Sequence, residues 1–336
     1  MRIVTGIQPT GTLHLGNYLG AIRPLIEQQD SAERVYAFIA DIHALSSKID
    51  PQVLRTGTMR MAAALMACGI KADRTTLFRQ SRVPAHAELS VLLSGVARTG
   101  QLERMIQFKE KSTGIGENCE GPRLLLLTYP VLQAADILLY GATHVPTGED
   151  QRQHLQLTRE IARKFNHDYA RKKEPIFTIP ETLAPQAGTR VMSLQDGTSK
   201  MSKSDPSDLS RITLDDDADA IARKLRKARS DPYMLPSEVS DLDDRPEARN
   251  LLTIHAALMQ QDLAASVQVF AGQGFGKLKA DLADIAIATL APISVRYREF
   301  LDNPEVIETE LQRNENIARQ QASATLANAY AAMGLG

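Results

Sequence analysis

Cysteine is nearly absent from this 336-residue chain: Cys68 and Cys119 stand alone, too few for a disulfide framework or a four-thiolate zinc site. Charge of one sign is not in excess either. The 39 Lys and Arg against 40 Asp and Glu exclude a uniformly basic nucleic-acid binder and leave room only for local basic patches. The opening MRIVTGI lacks the apolar stretch of a signal peptide, so a reducing cytoplasm is expected. Long apolar runs are missing too. The nearest approach, Leu124 to Ala142, contains Pro130, Gln133 and Asp136. One central carboxylate opposes membrane insertion by roughly 2.5–3.5 kcal/mol, so this stretch reads as a buried helix and no membrane partner is expected. Repeats and low-complexity segments are likewise absent.

What is present is alternation. Arg2–Gln8, Val35–Ala40, Thr75–Gln80 and Thr143–Thr147 have the short apolar or alternating pattern of strands, and helix-period segments fall among them: Gly16–Gln29, Val53–Cys68, Ala85–Val96, Tyr129–Tyr140 and Asp150–Phe165. This order predicts an α/β fold, a doubly wound parallel sheet with right-handed crossovers that binds ligands beyond the carboxyl ends of its strands. Past about Asp205 the strand signals stop. Leu214–Ala228, Pro246–Gln260, Lys277–Leu301 and Pro304–Met333 read as helices, which predicts a smaller helical C-terminal domain.

The segment GIQPTGTLHLGNYLGA, residues 6–21, lies where the first strand gives way to the first helix. Its backbone N–H groups face whatever binds above the sheet, a geometry suited to phosphate, and its glycines permit close approach. It is not GxGxxG, so the dinucleotide fingerprint fails. A second element, KMSKS at Lys200–Ser204, places two lysines three residues apart among small polar residues after Asp196-Gly197-Thr198-Ser199. Each segment alone has a plain structural explanation, as a strand-to-helix turn and as a solvated basic loop.

HLGN and KMSKS in one chain, in that order and across an α/β domain, resemble the paired ATP-holding motifs of the class I aminoacyl-tRNA synthetases. VPAHAELS, ERMIQFKEKS, TYPVLQAADILLY and VPTGEDQRQHLQLTREIARKFN extend the likeness to the bacterial-type tryptophanyl-tRNA synthetases. That resemblance implies a Rossmann-like catalytic domain over 1–195, a mobile KMSKS loop over 196–205, a helical anticodon-binding domain over 206–290 and a C-terminal helix region over 291–336 that packs back on the catalytic domain. It implies the activation of L-tryptophan by ATP, with Mg²⁺ assisting, to tryptophanyl-adenylate and pyrophosphate, and then transfer of tryptophan to the 3′ end of tRNA(Trp). Such chemistry needs alignment and charge stabilisation but no covalent enzyme intermediate.

By resemblance, Gln8, Pro9, Thr10, Gly16 and Asn17 contact ATP, with Gly148, Glu149 and Asp150 near the ribose and Val191 and Met201 against adenine. Lys111, Lys200, Lys203 and His14 are the candidate catalytic groups at the phosphates, and Ser202 and Ser204 complete the loop. Asp136 is expected to accept the indole N–H, with Tyr129, His43, Val145, Gln151, Gln133 and Val4 around it. No resident metal site is expected. Val4, Gln133 and Thr147 stand where an aromatic residue, methionine and valine are frequent in the family, so a roomier, more polar pocket is expected. Arg223, Lys224, Arg226, Lys227 and Arg229 on one helix, and Arg171, Lys172 and Lys173 on a loop, are candidate tRNA phosphate contacts. A homodimer through Ala85–Val96 and the following ERMIQFKEK is implied as well. Two other readings stay open: a small-molecule nucleotidylyltransferase, and a catalytically silent paralogue that binds RNA or a partner.

Overall fold

A computed structural model describes residues 1–113, 122–148, 151–170, 174–183, 190–203 and 205–335, apart from the side chains of 111–113. Among these residues one parallel sheet runs in the order β3-β2-β1-β4-β5, with β1 at Arg2–Ile7, β2 at Arg34–Ile39, β3 at Thr75–Arg79, β4 at His144–Pro146 and β5 at Glu181–Leu183. Every residue of β3 and all of β2 beyond Arg34 is buried, as a sheet covered on both faces requires. The four expected strands are present, β1, β3 and β4 shorter by a residue or two and β2 shifted by one. β5 was not foreseen, because its three residues are mostly exposed and carry no apolar run. From β1 the chain winds outward to β2 and β3, then returns to lay β4 on the other side of β1. The crevice at that reversal is where ligands bind in such sheets.

The first helical stretch is α1 (Leu15–Asn17), a π-turn over Tyr18–Ile22 and α2 (Arg23–Gln29), not one continuous helix. Pro24 is the physical reason: it has no N–H to give to the ladder, and Arg23 N–H reaches back five residues to Tyr18 O. α3 (Pro51–Cys68) starts cleanly because the Asp50 carboxylate accepts from the N–H groups of Gln52 and Val53, a cap worth about 1 kcal/mol. Gly69, at φ +111°, ends it in a conformation that favours glycine.

Next come α4 (Ala85–Ser94), α5 (Thr99–Leu102), α6 (Ile106–Thr113), α7 (Leu124–Leu138) and α8 (Arg152–Tyr169). α7 begins five residues before its expected start and carries Pro130 inside it. The C-terminal part contains α9 (Ala218–Arg226), α10 (Pro246–Met259), α11 (Leu263–Phe270), α12 (Phe275–Asp302) and α13 (Pro304–Met333). α12 packs on α3 and α9, whereas α13 lies along β3 and α4. No described helix is long and apolar enough to cross a membrane.

Candidate active site at the sheet switch point

The phosphate-type turn leaves β1 with Gln8 and Thr10 exposed and Pro9 buried. At its helical end His14 caps α1: its Nδ1 accepts from Asn17 N–H, while Asn17 Oδ1 accepts from His14 N–H, both at 3.3 Å. An Nδ1 that accepts must leave the ring proton on Nε2. Burial, reinforced by Lys203, Arg211 and Lys200, lowers the His14 pKa to about 4, so the ring is neutral at pH 7. A side chain at Gly16 would come within 3.1 Å of the His14 ring and 3.5 Å of Val191, which brings the turn and the expected adenine wall together.

Residues 191–201 form a hairpin over that turn. Ser193 N–H donates to Ser199 O, Met201 N–H donates to Val191 O, and Met192 pairs antiparallel with Lys200. The Asp196 carboxylate ties its tip by accepting from Ser199 Oγ, Thr198 Oγ1 and Thr198 N–H, and these bonds hold its pKa down at about 2. Asn250, buried on α10, pairs with the backbone of Met192 and Ser193 through three hydrogen bonds. Any side chain at Gly197 would strike the Pro246 carbonyl, at 2.4–2.5 Å. The hairpin is therefore mounted on the start of α10. Just beyond it Lys203 Nζ donates to Thr10 O at 2.8 Å, and its stem lies 3.1 Å from where a Gly11 side chain would begin. Burial lowers the Lys203 pKa from 10.5 to about 8.

Asp136, on α7, is wholly buried. Its Oδ1 accepts from Gln80 Nε2 at 2.7 Å and His86 Nδ1 at 2.6 Å, and its Oδ2 accepts from His43 Nε2 at 2.6 Å. His86 Nε2 then accepts from the Tyr140 hydroxyl at 2.7 Å. Burial pushes the Tyr140 pKa far up, so that hydroxyl stays protonated and donates. Burial alone would raise the Asp136 pKa; the His43 charge and the hydrogen bonds from His43 and His86 override it and bring it to about 2. Three donors from the protein thus already meet the carboxylate that the resemblance assigns to the indole N–H. A carboxylate offers about four lone-pair sites, and the one left open is on Oδ2.

Tyr129, one face of the expected pocket, donates to Gln107 Oε1 at 2.9 Å, sits 2.6 Å from His154 Nε2, and presents its ring edgewise to His43. Val4 and Val145 are buried in one apolar cluster with Phe38 and Ala135, and Gln133 is half-buried on α7. Gln151 directly precedes α8. Met201 and Val191 are both buried, Lys200 is exposed, and Gly148 follows β4. Thr147 buries a hydroxyl that finds no hydrogen-bond partner among the described residues. Glu149, Asp150, Ser204, the Lys111 side chain and the loop Arg171–Lys173 lie outside the described residues.

Gln80, His86, Tyr140 and Asn250 were missed by sequence reasoning. His86 sits inside the motif VPAHAELS, which was its only signal, because a histidine on a helix face does not show what it faces. Lys224 is a further correction: it is fully buried, with Nζ bonded to Asp208 and to both oxygens of Asp216, and is withdrawn from the tRNA surface. Arg223, Arg226, Lys227 and Arg229 remain exposed.

A parallel sheet with this crevice, a capped phosphate-type turn and a lysine-bearing hairpin laid over it define a nucleotide-binding catalytic domain. Residues 1–291 match the family described as tRNA synthetases class I (W and Y), and the chain belongs to that family. A tryptophan–tRNA ligase of Caulobacter vibrioides is 50% identical over 326 residues, spanning 97% of this chain and 93% of that protein. One from Thermosynechococcus vestitus is 47% identical over 99% of both. Among solved structures, the tryptophanyl-tRNA synthetase of Mycoplasma pneumoniae superposes with a TM-score of 0.87 at 33% identity, over 100% of this chain and 98% of its own. That of Campylobacter jejuni, complexed with ADP and tryptophan, superposes with a TM-score of 0.81 at 29% identity over the whole of both chains.

Proposed function

We infer that this chain is a tryptophan–tRNA ligase, which activates L-tryptophan with ATP and transfers it to tRNA(Trp). The observation that carries the reading is the buried Asp136 carboxylate, which has one open lone-pair site on Oδ2, in a chain whose Lys203 docks on the phosphate-type turn. ATP–pyrophosphate exchange supported by tryptophan and not by tyrosine tests it; exchange with tyrosine alone would overturn it.

The site residues act as follows. ATP lies along the turn Gln8–Thr10, its adenine between Gly16 and Val191–Met201, and its ribose near Gly148, Glu149 and Asp150. The neutral His14, with its proton on Nε2, donates to a phosphate oxygen. Lys111, Lys200 and Lys203 neutralise the charge that gathers on the leaving pyrophosphate. Tryptophan's indole N–H takes the open site on Asp136 Oδ2, and Tyr129, His43, Val145, Gln151, Gln133 and Val4 surround the ring and its amino-acid end. Its carboxylate then attacks the α-phosphorus, and the terminal ribose hydroxyl of tRNA attacks the adenylate. Mg²⁺, bound together with the triphosphate, would supply further neutralisation at the phosphate oxygens. Val91 and Ile106, both exposed within the segments of the expected dimer face, support a homodimer. A reducing cytoplasm suits Cys68, whose thiol burial pushes up to about 12 and leaves inert.

Lys203 makes ATP binding proton-linked. Its pKa lies below 10.5 because the docked position disfavours the charged amine, so docking weakens as pH falls from about 10.5 through about 8. A triphosphate placed beside it raises that pKa again. At pH near 9, ATP binding is expected to take up part of a proton, read as a dependence of calorimetric heat on buffer ionisation enthalpy. Lys203→Met is expected to abolish the uptake; an equal uptake in that variant would remove Lys203 from the phosphates.

The exposed face of α9 contacts tRNA phosphates through Arg223, Arg226 and Lys227. Replacing all three by Gln is expected to weaken tRNA charging and reduce its salt slope by about one per lost contact, with tRNA-independent exchange unchanged. Lys224→Ala, by contrast, is expected to lower the melting temperature and the exchange rate together, since it leaves the half-buried Asp216 without its cation. Equal loss of charging and exchange in the triple variant would place α9 in the fold instead of on the tRNA.

A further inference from the structure

We propose that α13 acts as a positioning element for the tryptophan-reading carboxylate, with Arg79 as the residue that transmits its hold. The proposal rests on the assignment of Asp136 to the indole N–H. Arg79 ends β3 and is nearly buried. Its Nη1 and Nη2 each donate to one oxygen of Glu308 at 2.8 Å, and its Nε donates to the buried Glu315, both acceptors on α13. The next residue, Gln80, is fully buried and bonds to other partners. Its Nε2 donates to Asp136 Oδ1, and its Oε1 accepts from the N–H groups of Ile42 and His43 at 3.2 and 3.4 Å. Arg79 is the last residue of β3 and Gln80 the first of the short 3-10 turn that follows, so one peptide unit separates the α13 clamp from the pocket clamp.

The grip is repeated on either side. Ser81 donates to the Asp41 carboxylate, two residues before His43, and Arg82 O accepts from Arg319 Nε of α13 at 2.8 Å. Thr325 of α13 donates to Leu139 O at 2.7 Å, three residues beyond Asp136 at the end of α7. α13 therefore holds the strand exit that carries Gln80 and also the helix that carries Asp136. A fork with both guanidinium edges engaged and little access to water has few alternative poses. Loss of the Arg79 fork frees the β3 exit, and with it the amide that aims Oδ1 of Asp136.

The chain has no tryptophan of its own, so the fluorescence of bound tryptophan can be followed without an indole background. Equilibrium tryptophan binding and ATP–pyrophosphate exchange are to be measured for Arg79→Met, Asp136→Asn and the double variant. Arg79→Met is expected to weaken tryptophan binding about tenfold, leave the Michaelis constant for ATP within about twofold, and add little to Asp136→Asn. A loss of melting temperature with tryptophan binding unchanged, or an effect fully additive with Asp136→Asn, would overturn the inference. If Arg79→Met does not fold, Glu308→Gln and Thr325→Val loosen the same clamp from its more accessible side, and unchanged tryptophan binding in both would overturn it equally. Weakening by Asp136→Asn but not by the clamp variants would sink this proposal alone. No weakening by Asp136→Asn would sink the Asp136 assignment and this proposal together.

Discussion

Lys203→Ala is expected to lower the rate constant for ATP–pyrophosphate exchange by about 10²-fold or more, with a smaller change in the Michaelis constant for ATP. Lys203 lies over the glycine-bearing turn, with Nζ resting on the Thr10 carbonyl. A neutral carbonyl is a weak partner for an ammonium group, and the growing charge on a departing pyrophosphate is a strong one. The interaction therefore strengthens along the reaction coordinate, which is the condition for a residue to act on the rate constant. The anchors of the hairpin, Asp196 at its tip and Asn250 at its base, are untouched by the substitution. An unchanged rate constant with only weaker ATP binding would make Lys203 a ground-state ligand and remove it from catalysis.

Asp136→Asn is expected to collapse the discrimination between tryptophan and phenylalanine. A site built to pair a substrate N–H rejects an analogue lacking it by about 10⁴–10⁵ in a related synthetase, because the analogue leaves a buried polar group unmatched. In this protein the carboxylate already meets His43, His86 and Gln80, so the fourth lone pair on Oδ2 is expected to carry the selection. An amide offers a single acceptor oxygen and turns its NH₂ toward at least one of those donors, a mismatch costing about 1–3 kcal/mol. The melting temperature is therefore expected to fall whether or not Asp136 reads the substrate. Only the ratio of specificity constants separates the two roles: it is expected to narrow by at least about 10²-fold. A lower melting temperature with the ratio preserved would leave Asp136 as a brace for α7.

The strands, the helical tail and the two nucleotide motifs were legible because each is written in neighbouring residues. Short apolar or alternating runs made β1 to β4 readable, whereas β5 is mostly exposed and has no apolar run to register. The first helix looked continuous because its apolar spacing survives the π-turn, and only the backbone ladder records that Pro24 has displaced it. Lys224 looked like its basic neighbours in a run of cations, yet one turn of a nine-residue helix directs it inward onto Asp208 and Asp216 while Arg223 and Arg226 face water.

By itself the sequence determined the fold class, the two motif segments proposed to meet ATP, and the family, since these depend on short-range periodicity and on residues contiguous in the chain. Tertiary structure alone decided what Asp136 faces. Its partners His43, Gln80 and His86 are 93, 56 and 50 residues away, and no local pattern constrains which of many buried polar groups will meet. A buried carboxylate must be satisfied somewhere, so its presence in an apolar helix announced a network. The identity of that network was set by the sheet order, which brings the ends of β2 and β3 against α7, and by α13, which closes over β3 and holds it there.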